Sequence, residues 1–403
     1  MNIPYIKRAL YLEQILPFIG KPIIKILTGQ RRVGKSYILL QLKDEIEMLY
    51  PDSNIIFINL ELNEFDSIRT HTNLYQYVDS KLVSGKQNFL LIDEIQEVDS
   101  FEDCIRSLLA ENKCDIICTG SNAQMLSGEL ATKLSGRYIQ FPIYSLSFVE
   151  FLEFHELDNT NESLLKYLQF GGMPFLIHTT LDQNVVFEYL KNVNSTILLK
   201  DVVARENIRN VSFLENLTAF LADNTGSLLS ALNISNYLKS QHQTVPTQTV
   251  ISYLRALTNA FYVYKVQRAD VNGLKIFEVS EKYYFEDLGL RNAIRSFDFR
   301  RDANKLMENV VFLQLKRENY NVYIGKSGDK EIDFLAEKNG ERIYFQVAYM
   351  LTDEKTIERE FGNLIQINDN FPKFVITMDE IPFSASYKGI RQIHLRDFLT
   401  STY

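Results

Sequence analysis

Three short, mostly apolar runs, Ile23 to Leu27, Phe89 to Ile95 and Asp115 to Thr119, read as strands of a parallel sheet covered on both faces. Between the first two, Ser36 to Leu49 sets Ile38, Leu39, Leu42, Ile46 and Leu49 at helical spacing. The chain therefore opens as strand, loop, helix and strand, the order of an α/β fold.

The pattern changes between Phe141 and Phe154, where the aromatic, Glu-containing stretch Ile143 to Phe151 leaves the sheet and begins a helical lid. The breaker cluster Gly171-Gly172-Met173-Pro174 closes the first domain near residue 170, and Val185 to Val203 predicts a connecting helix. Three helix-like segments follow closely: Phe213 to Ala222, Leu232 to Ser240 and Thr247 to Ala260. Two strand-like runs, Tyr262 to Val266 and Lys275 to Val279, then flank Asn272-Gly273 as a hairpin. With Pro246 at the entry to the third helix, this order resembles a winged helix. The final third places helix Met307 to Leu315 before strands Asn321 to Ile324, Glu331 to Leu335 and Arg342 to Val347, a second α/β domain.

The loop after the first strand carries the clearest chemistry. Gly29-Gln30-Arg31-Arg32-Val33-Gly34-Lys35-Ser36 fills every fixed position of the G-x-x-x-x-G-K-[ST] phosphate loop, in the strand-to-helix context that the motif requires. Gly29 and Gly34 let the backbone wrap an anion, and the amides and helix N-terminus point at phosphates. On this reading Lys35 reaches the β and γ phosphates of a nucleoside triphosphate and the Ser36 hydroxyl ligates magnesium. The second run carries the carboxylates Asp93 and Glu94, the first to hold magnesium through water and the second to orient and deprotonate the attacking water. The third run leads into Gly120-Ser121-Asn122. Asn122 is the candidate sensor of the γ phosphate, with Ser121 as an alternative and a helix N-cap as a third reading. Arg137, in Ser135-Gly136-Arg137-Tyr138, is either a transition-state cation, in cis or from a neighbouring subunit, or a surface charge.

A chain of 403 residues exceeds one ordinary core and should hold two or three domains. Hydrophobic residues at 46% and charged residues at 23% exclude a disordered or fibrous protein. With no apolar run of membrane-spanning length, and no signal-peptide pattern in Met1 to Leu10, a cytoplasmic protein without a membrane partner is expected. Cys104, Cys114 and Cys118 lack zinc-site spacing, and His71, His155, His178, His242 and His394 are scattered, so the thiols read as reduced core residues. The net charge of −8 argues against a protein coated in nucleic acid. Yet residues 231–269 hold Lys239, Arg255, Lys265 and Arg268 and no Asp or Glu, an asymmetry that suits a DNA backbone, with a protein contact as the alternative.

In the last domain Glu331 and Asp333 alternate along a strand and so face one side, where magnesium could be held between them, Glu308 and Gln346. That is the layout of a restriction-endonuclease-like core, but an incomplete one. Its third strand should carry a Lys two residues after the Gln, and Gln346-Val347-Ala348 puts Ala348 there. Lys355 on the next helix is a candidate substitute; an inactive scaffold rather than a nuclease is expected.

Taken in order, Gly29 to Ser36, Leu90-Leu91-Ile92-Asp93-Glu94-Ile95-Gln96, Thr119 to Asn122, Ser135 to Arg137, Gly171 to Pro174, Tyr283 to Asn292, Glu331 to Phe334 and Phe345 to Ala348 resemble the prokaryotic AAA-type ATPases that carry a C-terminal domain of unknown function. The resemblance spans nearly the whole chain. It implies ATP and magnesium as ligands, with Lys35, Ser36, Asp93, Glu94 and Asn122 at the family's functional positions and Arg137 matching an Arg of open role. It also implies a C-terminal region that joins a winged helix to a PD-(D/E)xK-like fold, often without the full nuclease set; the departure here is Ala348. The expected organisation is a P-loop NTPase domain over 1–170, a helical connector over 171–210, a winged-helix-like domain over 211–295 and a nuclease-like α/β domain over 296–403. The expected function is an ATP-hydrolysing switch that couples nucleotide state to double-stranded DNA or a protein partner, with oligomerisation open. Two alternatives stand beside it: a binding module with ATP as a structural ligand, and an ATP-gated nuclease.

Overall fold

The computed structural model describes residues 5–123, 133–134, 136–206, 208–240, 245–380 and 386–401. Its contacts divide the chain into two units, Met1–Tyr144 with Asn259–Phe261, and Ser145–Thr258 with Tyr262–Tyr403. Ser135 lies outside the described residues.

The first unit contains helix α1 (Ala9–Ile15), strand β1 (Ile24–Thr28), α2 (Lys35–Leu49), β2 (Asn54–Asn59), α3 (His71–Lys81), β3 (Asn88–Asp93), α4 (Phe101–Ala110), β4 (Asp115–Gly120) and β5 (Tyr138–Pro142). The strands form one parallel sheet in the order β2-β3-β4-β1-β5. Along β3, Leu90 and Ile92 pack on one face with Leu74, Val78, Ile105 and Leu108 of α3 and α4. Phe89 and Leu91 pack on the other with Tyr11 of α1 and Ile38, Leu42 and Ile46 of α2. Cover on both faces explains the unbroken apolar run, and each such side chain contributes about 1.5–3 kcal/mol. Lys25, in the middle of the apolar run of β1, is fully buried and pairs with Asp115 at the start of β4. The second oxygen of Asp115 accepts the Gly20 N–H at 2.7 Å.

The second unit begins with α5 (Phe148–Phe154), capped reciprocally by Ser147 and Glu150, then α6 (Asn161–Phe170) and α7 (Gln183–Thr196), which runs on into a π-helical segment, Ile197–Ala204. Next come α8 (Val211–Asp223), α9 (Ala231–Ser240), α10 (Thr247–Asn259), β6 (Val263–Asp270) and β7 (Ile276–Phe285), with Leu229 bridging antiparallel to Glu281 of β7. After α11 (Leu288–Ile294) the chain forms α12 (Phe299–Arg317), β8 (Asn321–Ser327), β9 (Lys330–Lys338), β10 (Glu341–Val347), α13 (Glu354–Ile365), β11 (Lys373–Thr377), β12 (Arg391–His394) and α14 (Leu395–Thr400). These strands make a seven-stranded sheet, β12-β11-β10-β9-β8-β6-β7, antiparallel across β8, β9 and β10 and parallel from β10 to β12.

The units divide between Tyr144 and Ser145, rather than at the expected breaks at 170, 210 and 295. Strands β6 and β7 belong to the same sheet as β8 to β12, so hydrogen bonds run across residue 295. The Gly171-Gly172 breaker is an internal packing point. Gly171 has φ 74°, and a Cβ there would lie 2.4 Å from Asp287 Oδ1, while the Gly172 N–H donates to Asp287 Oδ2 at 2.7 Å. No helix among the described residues is long and apolar enough to cross a membrane.

Candidate nucleotide-binding site

In the sheet order β4 lies between β1 and β3, so the ends of three adjacent strands bring the phosphate loop, the β4 end and the two carboxylates to one edge. The loop from β1 to α2 turns through left-handed residues, Arg32 at φ 72° and Gly34 at φ 99°. Gly29 is required by packing: a Cβ there would lie 2.1 Å from the Ile143 carbonyl oxygen. Lys35 is 3% exposed, and its Nζ donates to the carbonyls of Gly29 and Gln30 at 3.0 Å each and lies 3.9 Å from Glu94 Oε1. Val33 is buried, Arg31 pairs with Glu61 at 3.2 Å, and Arg32 is exposed. Both polar side-chain atoms of the buried Gln30 have no hydrogen-bond partner.

Asp93 is buried, and its Oδ1 accepts the Thr119 hydroxyl at 2.6 Å. The same Thr119 oxygen accepts the Glu94 N–H at 2.8 Å, so one side chain of β4 fixes both carboxylate residues. Burial raises the Asp93 carboxyl above its ordinary value, while hydrogen bonds from Thr119 and Ser36 pull it down. Asp93 Oδ2 is buried without a hydrogen-bond partner. An orphaned carboxylate oxygen close to the Ser36 hydroxyl fits a hard divalent cation such as magnesium. Glu94 sits at φ 57°, and its Oε2 accepts the Ser121 hydroxyl at 3.2 Å together with the Gln96 amide. Asn122, also buried, follows Ser121.

Arg137 lies elsewhere. It is exposed and precedes β5, whose Tyr138 pairs with Ile24 at the start of β1, whereas the phosphate loop follows Thr28 at the other end. Its backbone is therefore a strand length, about 13 Å, from the loop, which does not support the reading in cis. Three other residues went unrecognised from sequence: Thr119, Gln96 and Arg8. Arg8 is 3% exposed, donates through Nη1 to the Val33 carbonyl at 2.9 Å and the Tyr144 carbonyl at 3.0 Å, and stacks on Tyr11 with 4.6 Å to the ring centroid. It pins the phosphate loop from behind.

The second unit brings Glu308 of α12, Glu331 and Asp333 of β9, and Gln346 of β10 together. The candidate substitute Lys355 is exposed on α13; the lysine among these carboxylates is Lys282 of β7. Ala348 is buried.

Residues 21–152 match the family model described as an AAA domain, and residues 161–301 match one described as a domain of unknown function, DUF8612. An uncharacterized protein of Haemophilus influenzae is 35% identical over 405 residues, spanning 99% of this chain and 100% of that protein. The uncharacterized protein MJ1544 of Methanocaldococcus jannaschii is 32% identical over 359 residues, spanning 84% of this chain and 77% of that one. Among solved structures, the Aeropyrum pernix Orc1 protein in complex with DNA aligns with a TM-score of 0.32 at 12% identity, over 73% of this chain and 93% of that one. AMPPCP-bound DnaA from Aquifex aeolicus aligns with a TM-score of 0.31 at 15% identity, over 64% and 89%. With an AAA domain matched around the phosphate loop and 35% identity to the first relative over the full length of both, this chain belongs to the family of AAA-domain proteins that includes the H. influenzae and M. jannaschii proteins.

Proposed function

We propose that the chain binds ATP with magnesium, hydrolyses it, and works as a switch whose nucleotide state is passed to a DNA or protein partner. The observation that carries this reading is the gathering of Lys35, Ser36, Asp93 and Glu94 at one sheet edge, with Thr119 and Ser121 of the intervening strand end bonded to the two carboxylate residues. Lys35 is bonded to two carbonyls of its own loop, and phosphate oxygens would take over that ammonium. Ser36 and Asp93 would hold magnesium, which when bound neutralises charge on the β and γ phosphates. Glu94 would take the proton of the attacking water on its carboxylate, whose Oε2 is oriented by Ser121 and Gln96.

Two features of the second unit support the remainder. Helix α8, the Leu229 bridge, helices α9 and α10 and the β6–β7 hairpin follow the order of a winged helix. The outer side of α10 offers Gln248, Ser252 and Arg255, all exposed, and no carboxylate, which suits DNA. The succession α12, β8, β9, β10, α13, β11 supports the restriction-endonuclease-like reading.

The test is ATP turnover by the wild type, Lys35→Ala and Glu94→Gln, each with and without double-stranded DNA. Lys35→Ala should lose ATP binding. Glu94→Gln should keep binding and lose turnover by about 10²–10⁴-fold, and wild-type turnover in that variant would overturn the base assignment. Stimulation by DNA identifies DNA as the partner, whereas indifference points to a protein.

A further inference from the structure

We propose that Lys282 is a built-in cation that stands where a divalent metal would stand in the C-terminal carboxylate cluster, so that the cluster ties β7 to α12 and β9 without metal. Lys282 Nζ lies 3.0 Å from Glu331 Oε1, 3.2 Å from Glu308 Oε2 and 3.8 Å from Asp333 Oδ1, and the side chain is 3% exposed. One ammonium thus faces all three acidic side chains that the nuclease-like layout would offer to magnesium.

Several atoms of the cluster carry further hydrogen bonds. Glu308 Oε2 accepts the Tyr284 hydroxyl at 2.9 Å, Asp333 Oδ2 accepts the Val347 N–H at 2.8 Å, and Gln346 Oε1 accepts the Asp333 N–H at 3.4 Å. Gly226, at φ 74°, closes on Glu308 so tightly that a Cβ there would lie 2.8 Å from Oε2. Among the described residues, no set of three His, Cys, Asp or Glu side chains is arranged to hold a metal ion. A divalent ion placed among these oxygens would sit within a few ångströms of the ammonium, and the two cations would repel where solvent screening is weak around the buried Lys282.

The electrostatics agree. Burial alone would discharge Lys282, yet Glu308, Asp333 and Glu331 hold its ammonium above the ordinary lysine range. Burial pushes the Glu308 and Asp333 carboxyls upward, and the Lys282 ammonium pulls both back down. The position where a nuclease lysine belongs by spacing is Ala348. Lys282 enters from the hairpin instead and joins three separate chain segments.

Mn²⁺ binding to the nucleotide-free full chain, read by electron paramagnetic resonance, tests the assignment, with Asp93→Asn in every protein to remove the AAA-domain metal site. With Lys282 present, no Mn²⁺ site should depend on Asp333. Adding Lys282→Met should create one site, binding at least ten-fold tighter than the parent, and adding Asp333→Asn to that should abolish it. Asp333-dependent Mn²⁺ binding with Lys282 intact overturns the proposal, as does a folded Lys282→Met protein that gains no site. Should Lys282→Met not fold, melting of the Lys282-containing protein decides. A transition unmoved by Mn²⁺ or EDTA supports the built-in cation; a Mn²⁺-dependent rise removed by Asp333→Asn overturns it.

Discussion

Replacing Thr119 by Val keeps the branched shape of the β4 side chain and removes one hydroxyl. That hydroxyl donates to Asp93 Oδ1 at 2.6 Å and accepts the Glu94 N–H at 2.8 Å. Thr119 is 0% and Asp93 1% exposed, so water cannot replace either bond. Leaving a buried acceptor and a buried amide unsatisfied costs about 1–3 kcal/mol each, or about 4 kcal/mol together. For a unit of this size that lowers the melting temperature by roughly 8–16 °C. A second effect acts on the metal. The Thr119 bond is the largest of the contributions that hold down the Asp93 pKa against burial, so its loss raises that pKa further and lets protons compete better with magnesium for the carboxylate. The magnesium concentration for half-maximal turnover should rise, and rise more as the assay pH is lowered. Calorimetric melting with and without Mg·ATP, together with a magnesium titration of ATP turnover, reads both effects. A melting temperature within about 2 °C of wild type and an unchanged magnesium dependence would refute the role given to Thr119.

Arg8→Met leaves the carbonyls of Val33 and Tyr144 without their guanidinium donor, so the phosphate loop loses its rear support. Affinity for a fluorescent ATP analogue should fall at least about ten-fold, equivalent to the roughly 1.4 kcal/mol of a single charged hydrogen bond; equal affinity rules the support out. Asp115→Asn strands the Lys25 ammonium in the core and should cost about 3–5 kcal/mol in urea unfolding, so a loss below about 1 kcal/mol would contradict it. Burial, opposed by Arg317 and the Ser145 amide, pushes the Glu286 carboxyl from 4.5 to about 7. Between those values the folded chain holds a proton that the unfolded chain has released, so stability falls as pH rises through the window, by about 3 kcal/mol in all. Glu286→Gln cannot release that proton, and its stability between pH 5 and 7 should vary less than that of wild type; parallel curves would show that Glu286 does not titrate there.

What could be read directly from the chain was chemistry carried by consecutive residues. Gly29 to Ser36 and Leu90 to Glu94 form local runs whose backbone geometry determines where the side chains go, and β3 is apolar from Phe89 to Ile92 because helices cover both of its faces. Signals that depend on distant neighbours were less legible. Gly171-Gly172 reads as a domain end, yet it is the point where the backbone must pass close to Asp287. Arg137 follows the β4 region in sequence, but the parallel register of β5 on β1 places it at the opposite edge. The lysine of the carboxylate cluster shows the limit most sharply. Spacing along β10 specifies position 348 and finds Ala, and proximity in sequence suggests Lys355. An ammonium on a four-carbon stem needs only its tip in place, so any strand within reach can supply it, and here it comes from β7, far earlier in the chain. A phosphate loop is recognisable by spacing because its backbone does the binding. A site assembled from side-chain tips is recognisable only once the strands that bear them have been brought together.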